Sequence, residues 1–386
     1  MSAALQILNL DRLVDNQLEL RGTPNEHSGM LMRPSECVRV VDATQMGGDW
    51  RMRRFLLTFD TEDFISQNSI WVLHWILEIL KKYDLETLFF ITGHMAEKLR
   101  NFPIVTDLLR EHKIGYHSSS HSVHPTIFEF TDVENYEQAY RISLKREMAH
   151  VNPLTGEIEG KGGILAVREL FPNKQIVSFR APGHCWTPPH LEALRTLGIM
   201  LDFSTNICFT PVSFKNITFY PYPAIGRWEG KPSEYRALLL SLIRNRLTVL
   251  TVHPSLLVNR DEWDSIYCNG NPKKLSSPHS RNPREVKRLL RRFDSLLRRI
   301  AKFQKMHIIE TVPSLEKPNR NLRITKMDIE KCYQRSMRWA MKQNYRPKFL
   351  LSHFFRFFES CSKQNCLSNK RIREIESSLS RHVRAR

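Results

Sequence analysis

Short, continuously apolar runs recur between amphipathic segments along this chain, and that alternation restricts its fold more than any other feature. "RRFLLTFD", residues 53–60, is brief and β-compatible, so it reads as a buried strand ending at Asp60. "IWVLHWILEILKKYDL" follows with helical spacing, then "ETLFFIT" as a strand, "AEKLRNFPIVTDLLREH" as a helix and "KIGYH" as a short strand. Further strands are expected at "QIVSFRAP", "GIMLDFS", "ITFYPYP", "RLTVLTVH" and "MHIIETV". Helical spacing marks "TPPHLEALRTLG", "SEYRALLLSLIRN" and "REVKRLLRRFDSLLRRIAKFQK". Such alternation predicts a parallel α/β architecture, either a barrel or a doubly wound sheet. In both, function gathers at the carboxyl ends of the strands.

A chain of 386 residues holds one large domain with appendages, and 41% hydrophobic residues suffice for a real core. The net charge of +18 points to anionic partners, but it is unevenly placed. Residues 315–386 carry 18 Lys/Arg against 6 Asp/Glu, which is two-thirds of it. The expected organisation is an irregular leader (1–53), a catalytic domain (54–314) and a basic helical C-terminal extension (315–386). Seven scattered cysteines with no C-x-x-C pair argue against a zinc ribbon or a disulfide framework. The first residues, "MSAALQILNLDRLVDNQLEL", lack the basic and apolar regions of a secretory signal, and no apolar run reaches membrane-spanning length. A cytoplasmic location is expected.

The polar residues at the predicted strand ends are the candidate site. In "TFDTED", strand parity puts Asp60 and Glu62 on one face; if the chain has already turned, Asp63 takes Glu62's place. One such carboxylate can ligate a metal while another acts as a base. "HSSSH" supplies His117 and His121 at the i, i+4 spacing of a helical turn, with His124 as a spare. Two histidines and a carboxylate suit a catalytic Zn²⁺, which takes three protein ligands and leaves a position open. In "FRAPGH", Arg180 can hold a carboxylate ionised, and the Pro-Gly turn can aim backbone N–H groups at an oxyanion. Trp186 offers a flat surface for a sugar ring. His253, closing "LTVLTVH", suits a general acid. Taken singly, each has a plainer reading: an acidic helix start, a polar turn, a surface ion pair, a core tryptophan, a core histidine.

Their order is more telling than any one of them. A carboxylate strand end, H-x-x-x-H, R-x-P-G and an apolar-strand histidine together resemble the polysaccharide deacetylase family, the NodB-type carbohydrate esterases. The resemblance runs from about Phe55 to Val312 and includes the connecting text around "FITGHMAEKL" and "TPPHLEALRTLGIMLDFS". It implies a distorted (β/α) barrel whose activity is metal-dependent removal of an N-acetyl group from an amino sugar in a glycan or glycan precursor. Asp60 would be the base, His117 and His121 metal ligands, Ser118 the neighbouring hydroxyl, Arg180 the brace of the base, Gly183 the oxyanion donor and His253 the acid. The implied cofactor is a divalent metal, Zn²⁺ by preference.

This chain departs from the family pattern in three places. The usual "DDG" is "DTED", where strand parity favours Glu62 as the metal carboxylate, with Asp63 second. The element that tunes the last histidine is not evident, with Asp202 and Trp228 as the nearby candidates. A long segment, "PSLLVNRDEWDSIYCNGNPKKLSSPHSRNP", follows His253 and is expected to shape the substrate groove. The basic extension, with Phe349, Phe354, Phe355 and Phe358, reads either as helices packed on the barrel or as a peripheral membrane contact. No nucleic-acid motif accompanies its charge. Two other functions fit the same pattern: hydrolysis of a non-sugar C–N bond, and a degenerate glycan-binding scaffold.

Overall fold

The structure, a computed structural model, describes residues 53–121, 133–204, 208, 210–263, 277–311, 322, 324–342, 348 and 350–359. The leader through residue 52, His124, Phe349 and the chain beyond 359 lie outside the described residues. The strands are β1 (Arg53–Thr61), β2 (Leu88–Ile91), β3 (Lys113–Tyr116), β4 (Ala149–Val151), β5 (Ile158–Lys161) and β6 (Ser178–Phe179). After them come β7 (Leu201–Asp202), β8 (Val212–Phe214), β9 (Ile217–Phe219), β10 (Leu247–Val252) and β11 (Ile309–Thr311). All but β4 and β5, which form a separate antiparallel hairpin, join one sheet in the order β10-β1-β2-β3-β6-β7-β9-β8, with β11 also on β1. Its pairings are parallel except β8 with β9.

β1 is the hub. It pairs with β10 over Arg54–Phe59, with β11 over Arg53–Phe55 and with β2 over Thr58–Thr61. Every residue from Phe55 to Thr61 is buried, because helices cover one face and the barrel interior the other. A parallel bridge between Ile225 and Leu250 brings the chain after β9 back to β10, so the sheet curls. The result is a distorted (β/α) barrel rather than an open doubly wound sheet.

The first helix, α1 (Gln67–Lys82), buries Ile70, Leu73, Ile76, Leu77 and Leu80, the spacing that its sequence displays. The next helical run is broken by Pro103 into α2 (Gly93–Leu99) and α3 (Pro103–Leu109). Proline fits a first helical turn but removes a hydrogen bond from a helix interior. Two helices not expected from periodicity, α4 (Tyr136–Glu147) and α5 (Ile164–Leu170), flank the hairpin. α4 buries only Tyr136, Ala139, Ser143 and Glu147, too small and polar a stripe to stand out. The remaining helices are α6 (Pro188–Thr196), α7 (Pro232–Arg244), α8 (Pro254–Val258), α9 (Pro283–Lys305), α10 (Lys326–Lys342) and α11 (Leu351–Phe358).

α10 and α11 are built into the main apolar core. Ile329, Ala340, Leu351, Phe354, Phe357 and Phe358 are fully buried. The Trp186 ring lies 6.2 Å from Phe354 in a stacked arrangement and 6.0 Å from Phe357. Phe354→Ala is therefore expected to lower the unfolding free energy by about 3–5 kcal/mol in urea denaturation, the cost of emptying a core aromatic site. A change within about 0.5 kcal/mol, the usual surface value, would mean that α11 does not pack as described.

Candidate active site and metal centre

The carboxyl ends of β1, β3, β6 and β10 converge on a cleft of about 350 Å³. Asp60, Glu62, His117, His121, Gly183 and His253 all line it. Asp60 is the penultimate residue of β1 and is 2% exposed. Arg180, just past β6, is fully buried and donates from Nη1 to Asp60 Oδ1 at 2.6 Å and to Thr58 Oγ1 at 2.9 Å. Its guanidinium also lies 4.4 Å from the centre of the Phe90 ring. A guanidinium anchored on so many sides presents a fixed positive charge to one carboxylate oxygen. The other oxygen, Oδ2, faces His253 Nε2 at 3.6 Å.

The two "HSSSH" histidines are not on a helical turn. Residues 117–121 form an irregular loop in which Ser118 (φ 68°) and His121 (φ 49°) are both left-handed. Those two reversals set the imidazoles 4.9 Å apart, with each Nε2 on the same carboxylate oxygen of Glu62: His117 at 3.1 Å and His121 at 2.9 Å. His117 Nδ1 lies 2.6 Å from the Arg180 carbonyl oxygen, which only accepts. Nδ1 therefore carries the proton and Nε2 offers a lone pair, the arrangement in which metal-binding histidines are held. One ligand atom each from Glu62, His117 and His121 lie within 4.8 Å of one another, a donor set that fits Zn²⁺ or a similar cation. Burial pushes the Glu62 carboxyl up, but the neighbouring imidazoles of His121, His117 and His253 outweigh it. Its pKa falls well below the usual value, so Glu62 is a carboxylate.

β1 stops at Thr61, so Glu62 reaches the histidines from beyond the strand rather than by strand parity. Asp63 does not join them. Its Oδ1 accepts from the backbone N–H of Ile65 (3.1 Å) and Ser66 (2.9 Å), and its Oδ2 from Ser69 Oγ and Asn259 Nδ2 (3.1 Å). That carboxylate closes the turn entering α1 and holds the segment after His253. The expectation of Asp63 as an alternative ligand is corrected accordingly.

Two substrate-contact expectations are also corrected. Trp186 is 4% exposed, enclosed by Phe219 and the α11 phenylalanines, and offers no face to a sugar. Ser118 is fully buried and donates to Glu147 Oε1 at 3.2 Å, so its hydroxyl supports the loop from below. Gly183 does line the cleft, at φ 57° in a short 3-10 turn (Pro182–His184). A side chain there would collide with the Trp339 ring, 2.3 Å from an added Cβ. α10 thus backs the turn, and Ser336 Oγ donates to the Trp186 carbonyl at 2.9 Å. Asp202 braces the same turn from the other side: its Oδ1 accepts from Ser204 Oγ at 2.7 Å, and that hydroxyl accepts from the Ala181 N–H at 2.6 Å. Trp228 is in the core against Phe293.

Several site residues carried no recognised signal. Glu147, 1% exposed, takes hydrogen bonds from Tyr116 and Ser118 and lies 2.7 Å from His190 Nε2, forming a buried polar floor beneath the loop. Burial, with the Glu147 charge beside it, raises the Tyr116 pKa well above the usual tyrosine value, so the phenol keeps its proton and donates it. His184 and Tyr222 form one wall, with ring centres 4.7 Å apart. Burial, together with the charges of Arg180 and Arg335, holds the His184 pKa well below its usual value and keeps it neutral. Arg227, Glu262 and Trp263 complete the lining, the last two from the segment after His253. Tyr222 follows a strand end, "ITFYPYP", and the strand-end rule applied to aromatic residues would have found it.

No protein-family model matches the sequence, and no curated protein does. Solved structures are similar at low identity. A Mycobacterium smegmatis protein described as a polysaccharide deacetylase has a TM-score of 0.41 and 16% identity, over 70% of this chain and 96% of its own. A Streptococcus mutans CE4 esterase has 0.36 and 15%, over 68% and 86%. A Bacillus anthracis protein described as a CE4 family pseudoenzyme has 0.35 and 13%, over 69% and 66%.

The last two carboxylates of "DTED", Glu62 and Asp63, are expected to separate cleanly. Glu62→Gln should weaken Zn²⁺ binding in equilibrium dialysis by more than the ~10–100-fold that loss of an outer partner causes. Asp63→Asn should leave that affinity within a few fold and instead cost about 1–3 kcal/mol of stability, as a buried hydrogen-bonded carboxylate is lost.

Proposed function

We propose that this chain is a divalent-metal-dependent hydrolase that removes an N-acyl group, acetyl by preference, from an amino sugar in a glycan or glycan precursor. The observation that carries the proposal is the meeting, in one cleft, of a braced carboxylate–histidine pair and a separate His–His–Glu set. The two groups are what amide hydrolysis requires: a base and an acid on one side, a cation site on the other. Glu62, His117 and His121 would hold the cation, which supplies Lewis-acid activation of a water and of the carbonyl oxygen.

Asp60 acts as the base. Arg180 occupies Oδ1, leaving Oδ2 to take a proton from the attacking water. His253, beside Oδ2, gives a proton to the departing amine; without it the amine would have to leave as an anion. The backbone N–H at Gly183 faces the oxyanion that develops on the acyl carbon. His184, held neutral, adds no second positive charge beside Arg180. Arg227, Glu262 and the exposed Tyr222 give the rim hydrogen-bonding and stacking surface of the kind that sugars use.

The metal set needs both imidazoles, and the chemistry needs Asp60, so two substitutions separate the roles. Acetate release from an N-acetylated amino-sugar oligomer should fall about 10²–10⁴-fold in Asp60→Asn with bound metal retained. In His121→Ala both the cleft's metal and the activity should be lost. Hydrolysis confined to small non-sugar amides would favour the other C–N substrate class. Glycan binding with no acetate release under any divalent cation would establish a scaffold instead.

A further inference from the structure

A second set of metal-ligating side chains lies outside the cleft and shares no residue with it. His94 and Glu97, three apart on α2, face His150 of β4. His150 Nδ1 is 3.0 Å from Glu97 Oε1 and 2.9 Å from Oε2, and His94 Nδ1 is 3.4 Å from Oε2. One donor atom from each residue falls within 4.8 Å of the other two. The imidazoles meet edge to face, with centres 4.9 Å apart, and Phe64 packs on the other side of His94 at 4.8 Å. We infer that His94, Glu97 and His150 form a second, structural site for a borderline divalent cation of the Zn²⁺ class.

A closed hydrogen-bonded cluster is the competing account, and the distances disfavour it for His94. An N–H···O bond spans about 2.7–3.2 Å, so 3.4 Å is long for the only polar contact that a nearly buried imidazole makes among the described residues. Two ligands of one tetrahedral zinc, each about 2.0–2.1 Å from it, stand about 3.3 Å apart. The side chains of His150 and Glu97 are 28% and 27% exposed, which gives a cation an entrance and room for a fourth, water ligand.

The position gives the site a purpose. The α2 N-terminus donates from Gly93 N to Ser118 O (3.1 Å) and from His94 N to Ser119 O (3.0 Å), holding the loop that bears His117 and His121. A cation at His94, Glu97 and His150 ties that helix to the β4–β5 hairpin and so steadies the loop from outside the cleft.

Zn²⁺ stoichiometry of the metal-stripped full chain, measured by equilibrium dialysis, tests this directly. His150→Ala should bind one Zn²⁺ per chain fewer than the wild type, with an unchanged circular dichroism spectrum, since His150 is partly exposed. The same loss should appear in Glu97→Gln, and both variants should lose part of the Zn²⁺-induced rise in melting temperature. Stoichiometry equal to wild type in the two variants overturns the inference. The count lost in His121→Ala is separate, so failure of the second site and failure of the cleft's metal set are distinguishable.

Discussion

The candidate site depends on one buried guanidinium. Arg180 and Asp60 are both withdrawn from water, and an ion pair so placed is stable only when its geometry offsets a desolvation cost of several kcal/mol per ion. Here the offset comes from fixed partners: Thr58 on the same strand as Asp60, the Phe90 ring below, and a carboxylate oxygen in line. The same residue's backbone joins the other half of the site, because its N–H donates to the Tyr116 carbonyl and its own carbonyl accepts from His117. One residue therefore fixes both the Asp60 carboxylate and the tautomer of the His117 imidazole. A change at Arg180 would disturb both together, since it would leave an unpaired buried charge.

Beneath the histidine loop the same economy recurs with different groups. Glu147 stands under the left-handed Ser118, with Tyr116, Ser118 and His190 supplying its partners. A loop with two non-glycine residues at positive φ is strained unless its surroundings determine it, and functional loops commonly are so held. The buried floor and the α2 N-terminus constrain it from below and from the side. The strained backbone is what aims the two imidazoles of one irregular loop at a single glutamate oxygen.

Much of this was legible in the sequence, for a physical reason. Parallel strands buried on both faces are continuous apolar runs, so β1 and β10 stand out, and the polar residues that end them can be named without coordinates. Asp60, Arg180 and His253 come together in the cleft because strand ends come together. Reading failed where tertiary packing overrides local pattern. "DTED" presents three acidic residues with no local mark of which one turns inward; one of the hydrogen bonds that occupy Asp63 comes from Asn259, 196 residues further along the chain. Trp186 looks the same whether it meets a sugar or a phenylalanine, and the phenylalanines that cover it lie about 170 residues later. Glu147 ends a helix whose polar composition hides a single buried carboxylate.

The contact between Trp339 and Gly183 has a consequence for the order in which the molecule is made. During synthesis the amino-terminal part of a chain emerges first, and the barrel strands through β10 are all translated before α10 exists. Until α10 docks, the turn at Pro182–His184 lacks the ring that backs it and the hydroxyl that holds the neighbouring carbonyl. The Gly183 side of the cleft is therefore finished late, by a segment that lines none of it. A nascent barrel would hold Asp60, Glu62, His117, His121 and His253 and still lack a settled turn at Gly183.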